Sequence, residues 1–189
     1  MKIGVLALQG AFREHCWMLE GCGVTAVEIR KPEELDDVVG LVIPGGESTT
    51  IGKLMVQWGL MEKIKVRVSQ GMAIYGTCAG MIMLAKEIIE SDQPRLGLMD
   101  VTVKRNGFGR QRESFEATMS VPEFGKEPVQ AVFIRAPYIE TSGESVKVMA
   151  LVKDKIVIAR QDKILVTAFH PELTNDNRIH KYFISMIKE

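Results

Sequence analysis

The sequence has few cysteines, no excess of charge and no basic stripe, and each absence narrows what the chain can be. Its three cysteines, Cys16, Cys22 and Cys78, are odd in number and lack the spacing of zinc ligands. Neither a disulfide scaffold nor a structural zinc site is therefore predicted. Lysine plus arginine and aspartate plus glutamate both number 24, so the formal net charge is zero. Nucleic acid is not expected as a partner.

Long apolar segments are also absent. No run of about 18 apolar residues could span a bilayer, and the apolar stretch near the N-terminus is too short for a secretory signal. We expect a cytoplasmic protein with no membrane partner. The 46% hydrophobic and 25% charged residues are typical of a soluble globular chain. A length of 189 residues predicts one domain, residues 1–189.

The first half of the chain alternates apolar runs with helical patterns. Buried strands are predicted at residues 2–8, 24–29, 38–43 and 72–75, and helices at 11–20, 48–60 and 79–89. This alternation indicates βαβ units around a parallel sheet that helices cover on both faces.

The second half is richer in strands. Apolar runs at residues 101–104, 114–120, 131–134, 146–152, 156–160 and 164–169 predict strands, and a last helix is predicted at 175–188. Short polar turns between several of these runs indicate antiparallel hairpins. The predicted fold class is therefore α/β, with a mostly parallel sheet and additional antiparallel strands.

A glycine-flanked cysteine carries the strongest chemical signal. Gly76-Thr77-Cys78-Ala79-Gly80 lies between a predicted strand and a predicted helix, the arrangement of a nucleophile elbow. The helix N-terminus favours the thiolate, and its free N–H groups can bind an oxyanion. Cys16 and Cys22 have no such setting, and we interpret them as packing residues.

A cysteine nucleophile needs a base, and the chain has three histidines. His170 follows the apolar run 164–169, so it shares the carboxyl edge of the parallel sheet with Cys78. Glu172 stands two residues later, and in an extended segment both side chains point the same way. The sequence predicts a triad of Cys78, His170 and Glu172. His15 and His180 are interpreted as surface residues.

Two glycine-containing loops, at residues 44–49 and 105–110, supply candidate binding groups, as do three arginines, Arg105, Arg110 and Arg135. The loop Pro44-Gly45-Gly46-Glu47-Ser48-Thr49 follows a strand and could give an oxyanion-hole donor that pairs with the N–H of Ala79. It lacks the lysine of a phosphate-binding P-loop. Arg105 and Arg135 could hold a substrate carboxylate, and Glu47 could face an ammonium group.

These motifs together resemble a known family, the class I (triad) glutamine amidotransferases. Within that class the chain is similar to the glutaminase subunits of pyridoxal phosphate synthases, and the likeness runs nearly end to end. The cysteine elbow and Phe169-His170-Pro171-Glu172 are common to the class. The subfamily is indicated by Gly45-Gly46-Glu47-Ser48-Thr49-Thr50, by Arg105-Asn106 with Phe108-Gly109-Arg110-Gln111, and by Phe133-Ile134-Arg135-Ala136-Pro137.

The resemblance implies a three-layer α/β/α, flavodoxin-like fold. It implies hydrolysis of L-glutamine to glutamate and ammonia through a thioester on Cys78, with His170 as base and acid and Glu172 as its orienter. The implied oxyanion-hole residues are Gly46 and Ala79. The implied glutamine-binding residues are Gly46, Glu47, Ser48, Arg105, Ile134 and Arg135. The implied partner is the synthase subunit of a hetero-oligomeric complex that makes vitamin B6, and no cofactor or metal is expected on this chain.

Three other interpretations remain open at this point. The same triad would serve a glutaminase that supplies a different synthase, or a cysteine peptidase of related architecture. A third alternative is a non-enzymatic relative that keeps the fold. The presence of nucleophile, base and orienter favours an enzyme, and the subfamily loops favour vitamin B6 synthesis.

Overall fold

The computed structural model describes residues 1–109 and 114–189, and Arg110 and Gln111 of the resemblance lie outside them. The first half contains three parallel strand–helix units. Its strands are β1 (Lys2–Leu6), β2 (Thr25–Ile29), β3 (Gly40–Ile43), β4 (Ala73–Thr77) and β5 (Ala85–Ile88), and its helices are α1 (Phe12–Glu20), α2 (Ser48–Gln57), α3 (Leu60–Ser69) and α4 (Ala79–Leu84).

Strands predominate in the second half. They are β6 (Met99–Lys104), β7 (Ser114–Met119), β8 (Val129–Ile134), β9 (Tyr138–Ser142), β10 (Lys147–Val152), β11 (Lys155–Gln161) and β12 (Ile164–Thr167), and α5 (Arg178–Ile187) closes the chain. Short 3-10 helices occupy Pro32–Asp37, Pro122–Phe124 and Pro171–Leu173.

One large mixed sheet organises the described residues. Its order is β2-β1-β3-β4-β12-β11-β9-β6-β5, with β10 paired to β11, while β7 and β8 form a separate two-stranded sheet. The first five strands of that order are parallel, and β12 to β11, β11 to β9 and β9 to β6 are antiparallel. The predicted α/β class with added antiparallel strands is confirmed.

The centre of the parallel part is apolar on both faces. Every residue of β3, β4 and β12 is buried, as a sheet between helical layers requires. Gly40 of β3 lets α5 approach closely, since a Cβ there would lie 2.8 Å from the side chain of Ile187. None of the helices in the described ranges is both long and apolar enough to cross a bilayer.

Register brings the candidate residues to one edge of the sheet. Strands β4 and β12 are adjacent and parallel, with Thr77 opposite Thr167, and Ile43 at the end of β3 lies opposite Gly76. Cys78 and the loop after Ile43 therefore start at the same level, and His170 follows three residues after β12. The predicted meeting of the strand ends is confirmed.

Three of the predicted helices have different bounds in the structure. The helix predicted at 79–89 ends at Leu84, because Ala85 takes an extended conformation and β5 pairs with β6 instead. The helix predicted at 48–60 is broken before α3 by Gly59, which has φ 72°. Helix α3 and strand β9 were not predicted at all, and the last helix begins at Arg178 instead of Asn175.

Candidate active site

The turn that carries Cys78 is a strained strand-to-helix elbow. Cys78 has φ 48° and ψ −102°, a backbone conformation that residues other than glycine seldom adopt. A Cβ on Gly76 would lie 2.5 Å from the backbone of Gly80, and a Cβ on Gly80 would lie 2.1 Å from the carbonyl oxygen of Ile43. Both glycines are thus required by close backbone packing around Cys78.

Neighbouring strands fix the elbow in place. The N–H of Cys78 donates to the carbonyl of Thr167 at 2.8 Å, which joins the elbow to the end of β12. The Sγ atom lies 3.9 Å from the carbonyl oxygen of Ile134, and Cys78 is only 7% exposed. The first N–H groups of α4, beginning at Ala79, have no partner within their helix.

His170 and Glu172 are in direct contact. Nδ1 of His170 lies 2.7 Å from Oε1 of Glu172, and the N–H of His170 donates to the carbonyl of Val132. The pairing was predicted, but the reason given for it was wrong. Residues Pro171–Leu173 form a 3-10 turn rather than an extended segment, and this turn brings the carboxylate back under the ring.

His170 and Glu172 each stabilise the charged form of the other. Burial opposes protonation of His170, yet hydrogen bonds to Cys78 and Glu172 raise its pKa to about 10. Burial likewise opposes ionisation of Glu172, but the hydrogen bond from His170 and the charge of that ring lower the pKa of Glu172 below the usual value. The imidazolium of His170 is therefore stabilised between two groups that can carry negative charge.

The interpretation of His15 and His180 as surface residues was wrong. Both are completely buried, and Nδ1 of His15 lies 2.9 Å from Nε2 of His180. Nε2 of His15 lies 3.2 Å from Oγ1 of Thr77 and 3.3 Å from Oε2 of Glu172. Helices α1 and α5 pack against each other and enclose the pair, a long-range contact that local sequence does not reveal.

A cavity of about 360 Å³ opens at Cys78. Among the residues that line it are Gly46, Glu47, Ser48, Cys78, Ala79, Arg105, Ile134, Arg135 and His170. Every site residue predicted from the sequence thus borders this cavity except Glu172, which is buried behind His170. A larger open groove, of about 640 Å³, lies near Gln130, Leu173 and Asp176 and contains neither a thiol nor an imidazole.

Known proteins share this architecture over the whole chain. The model of the SNO glutamine amidotransferase family matches residues 5–189. The chain belongs to this family. It is 60% identical over 188 residues to a Desulforamulus reducens protein named pyridoxal 5'-phosphate synthase subunit PdxT, with each chain covered completely. A PdxT of Moorella thermoacetica is 58% identical over 187 residues, which are 99% of this chain and all of that protein.

Solved structures agree with that assignment. A crystal structure described as a glutamine amidotransferase superposes with a TM-score of 0.94 at 49% identity and covers 99% of each chain. PurLQS from Thermotoga maritima superposes with a TM-score of 0.70 at 15% identity over 97% of each chain, a likeness of fold alone.

In this glutamine amidotransferase, Glu47 makes contacts other than those predicted. Its carboxylate caps α2 by accepting hydrogen bonds from the N–H groups of Thr49 and Thr50 and from the hydroxyl of Thr50. Partial burial opposes ionisation, but these bonds lower the pKa of Glu47 to about 2. Its own N–H donates at 2.7 Å to Oε1 of Gln9, which also lines the cavity.

Sequence reasoning missed Gln93, which lies in a segment without regular structure between β5 and β6. Its buried side-chain oxygen accepts hydrogen bonds from Arg105 at 2.9 Å and from Ser48 at 3.2 Å. No motif signals this residue. Arg135 has φ 43°, which is unusual for a residue other than glycine. This backbone feature of the candidate site is visible only in the structure.

Cys16 and Cys22 are half-buried and pack against the core, as predicted. Burial raises the pKa of Cys16 to about 11, and burial also raises the pKa of Cys22. Of the three thiols, Cys78 alone borders the cavity, which His170 also lines.

Proposed function

We propose that this chain is the glutaminase subunit of a pyridoxal phosphate synthase. It hydrolyses L-glutamine to L-glutamate and ammonia, and a synthase subunit uses the ammonia to build vitamin B6. Relatives named for that synthase cover the chain end to end at 54–60% identity, which supports this assignment. Residues 1–189 act as one glutaminase domain in this proposal.

The observation that carries the proposal is that Cys78 and His170 border the same cavity and both lie against Gly45, while Nδ1 of His170 lies 2.7 Å from Oε1 of Glu172. Cys78 is the nucleophile, and its thiolate attacks the side-chain amide carbon of glutamine. The raised pKa of His170 favours a protonated ring beside the attacking sulfur. Glu172 orients the ring and stabilises its charge.

The remaining steps follow from that arrangement. When the C–N bond breaks, the imidazolium of His170 gives its proton to the departing nitrogen, which leaves as ammonia and leaves a glutamyl thioester on Cys78. Neutral His170 then takes a proton from water as the water attacks the thioester. Cleavage of the C–S bond releases glutamate and restores the thiolate and imidazolium.

Developing charge on the amide oxygen needs donors near the cysteine. In the proposal, the N–H groups of Gly46 and Ala79 form the oxyanion hole. Both residues line the cavity together with Cys78, which supports this role.

The rest of the cavity holds the amino-acid part of the substrate. We assign glutamine binding to the cavity-lining residues Gly46, Glu47, Ser48, Arg105, Ile134 and Arg135. A guanidinium fork suits the α-carboxylate. Glu47 is ionised at neutral pH and lies at the rim, where it can attract the α-ammonium although it also caps α2.

Ammonia release from L-glutamine, measured with and without the synthase subunit, tests the function. We expect release that rises when the synthase subunit is added, with L-asparagine as a poor substrate because it is one methylene too short to reach Cys78. Release indifferent to the synthase would point to a glutaminase of another pathway. No release under either condition would overturn the proposal in favour of a non-enzymatic relative.

A further inference from the structure

The buried pair of His15 and His180 is not used by the mechanism above. The two imidazoles belong to α1 and α5, 165 residues apart, and they lie behind Glu172 on the side away from the cavity. Burial of two polar rings is costly unless their nitrogens find partners. The partners of these ring nitrogens therefore indicate the role of the two histidines.

The second oxygen of Glu172 is the point of contact. Its Oε1 accepts from His170, but Oε2 makes no aligned hydrogen bond among the residues that the structure describes. Nε2 of His15 lies 3.3 Å from Oε2, and the side chains of both residues are fully buried. A small rotation of the His15 ring would align its N–H with this carboxylate oxygen.

One assignment of protons fits these contacts. Nε2 of His180 donates to Nδ1 of His15, and Nδ1 of His170 donates to Oε1 of Glu172. Nε2 of His15 then carries a proton that is directed to Thr77 Oγ1 at 3.2 Å and lies beside Glu172 Oε2 at 3.3 Å. The reverse assignment would turn a lone pair of His15 towards the carboxylate and would leave a buried N–H unpaired at Nδ1 of His180. The first assignment leaves only an acceptor atom of His180 unpaired, which is the less costly choice.

Both rings are neutral in this arrangement. Burial lowers the pKa of His15, and burial lowers that of His180 still further, while Glu172, His170 and Glu14 also act on His15 electrostatically. Oγ1 of Thr77 and the ring of Tyr75 complete the surroundings of His15. A neutral N–H donor can hold the carboxylate in place without neutralising it, so the charge of Glu172 stays available to His170.

We propose that His15, held in one tautomer by His180, is a positioning residue that fixes the second oxygen of Glu172 and thereby orients His170 towards Cys78. The inference rests on the proposed function for its effect on turnover. Its effect on the thiol can be measured without turnover. Neither histidine touches the substrate cavity, so both act only through Glu172.

Two substitutions of similar length separate the hydrogen bond from the packing. His15→Met removes every donor, whereas His15→Gln keeps an N–H at the position of Nε2. Loss of one hydrogen bond to a charged group predicts a kcat about ten- to a hundredfold lower in His15→Met, with KM unchanged. His15→Gln should recover most of the lost rate.

Alkylation of Cys78 by iodoacetamide at pH 7, mapped by mass spectrometry, provides the second measurement. A misoriented His170 activates the thiol less well, so His15→Met should alkylate more slowly than the wild type. A role in packing alone predicts the opposite sign or no change, because a loosened core exposes Cys78, which is 7% exposed in the native fold. Cys16, whose pKa is raised to about 11, is an internal reference for slow reaction.

Two more variants complete the test. His180→Leu leaves His15 in place but removes the N–H that donates to Nδ1 of His15. Because one neutral hydrogen bond is lost, we expect kcat and the alkylation rate of Cys78 each to decrease about two- to tenfold. Tyr75→Phe changes the same core but removes only a bond to Thr167, so it should leave alkylation unchanged. If His15→Met does not fold, the other variants decide whether His15 is a positioning residue. The positioning role predicts that the alkylation rate decreases from the wild type to His15→Gln and further to His180→Leu.

The outcomes separate the two proposals. Unchanged alkylation and turnover in folded His15→Met, or in His180→Leu if that variant alone folds, would overturn the positioning role. Absence of ammonia release from the wild type would overturn the proposed function, while the alkylation series would still decide the role of His15.

Discussion

Oε1 of Gln93 lies 2.9 Å from Nη1 of Arg105, and this bond fixes an arginine that lines the cavity. The same oxygen accepts from the hydroxyl of Ser48 at 3.2 Å. Gln93 thus joins two residues that we assign to glutamine binding, although it follows a different strand from either of them. The contact predicts a specific effect on substrate affinity.

Replacing Gln93 by Met should raise the KM for glutamine about ten- to a hundredfold and leave kcat nearly unchanged. The expected size is that of one lost hydrogen bond to a charged group, and a change confined to KM indicates weaker binding in the ground state and transition state alike. Steady-state kinetics with the synthase subunit would measure it. Gln130→Met, at an exposed glutamine bonded to Glu116, is the matched control. A decrease in kcat with KM unchanged would contradict the binding role.

Gly80→Ala should destabilise the elbow. The new Cβ would lie 2.1 Å from the carbonyl oxygen of Ile43, so backbone must shift, at a cost of about 1–3 kcal/mol in the free energy of unfolding. Urea denaturation would measure the loss. Gly21→Ala is the control, because its Cβ would come no closer than 3.3 Å and its backbone is helical. Equal stability of the two variants would show that the close approach at Gly80 is not tight.

The cap on α2 predicts a dependence of stability on acid pH. The pKa of Glu47 is lowered from 4.5 to about 2 in the folded chain, so the folded state favours the carboxylate. Its contribution to stability is fully present above pH 4.5 and is lost as the pH falls through 2.

Glu47→Gln should therefore cost about 1 kcal/mol at pH 7, at the modest end expected for an exposed cap, and progressively less below pH 4.5. Denaturant unfolding of both chains between pH 7 and pH 3 would measure the difference. A difference that stays constant across this range would show that the charge of Glu47 does not stabilise the helix.

Local sequence was sufficient to predict the strand-to-helix elbow at Cys78 and its position at the edge of the sheet. The glycines around Cys78 permit only a tight turn, and the position of Cys78 and His170 after apolar runs places both at the carboxyl edge of a parallel sheet. The structure has β4 and β12 as adjacent strands in register, which local patterns alone could not establish. The resemblance to a known family indicated the remaining cavity residues.

Long-range packing explains what the sequence could not predict. His15 and His180 occur in helices with polar neighbours, and only the contact between α1 and α5 buries them. Residues 85–88 have a helical composition, yet pairing with β6 makes them a strand, since tertiary contacts override weak propensities. Gln93 belongs to a segment without periodicity, so its bond to Arg105 appears only when the chain is folded.

The most direct test of the account is ammonia release by Cys78→Ala, assayed with the synthase subunit beside the wild type. The substitution removes the nucleophile but leaves the elbow glycines and the His170–Glu172 contact unchanged. We predict that the variant folds with wild-type stability to within about 1 kcal/mol and releases no ammonia above the uncatalysed background. Release by the folded variant at a rate comparable to the wild type would contradict the thioester mechanism and the central role of Cys78.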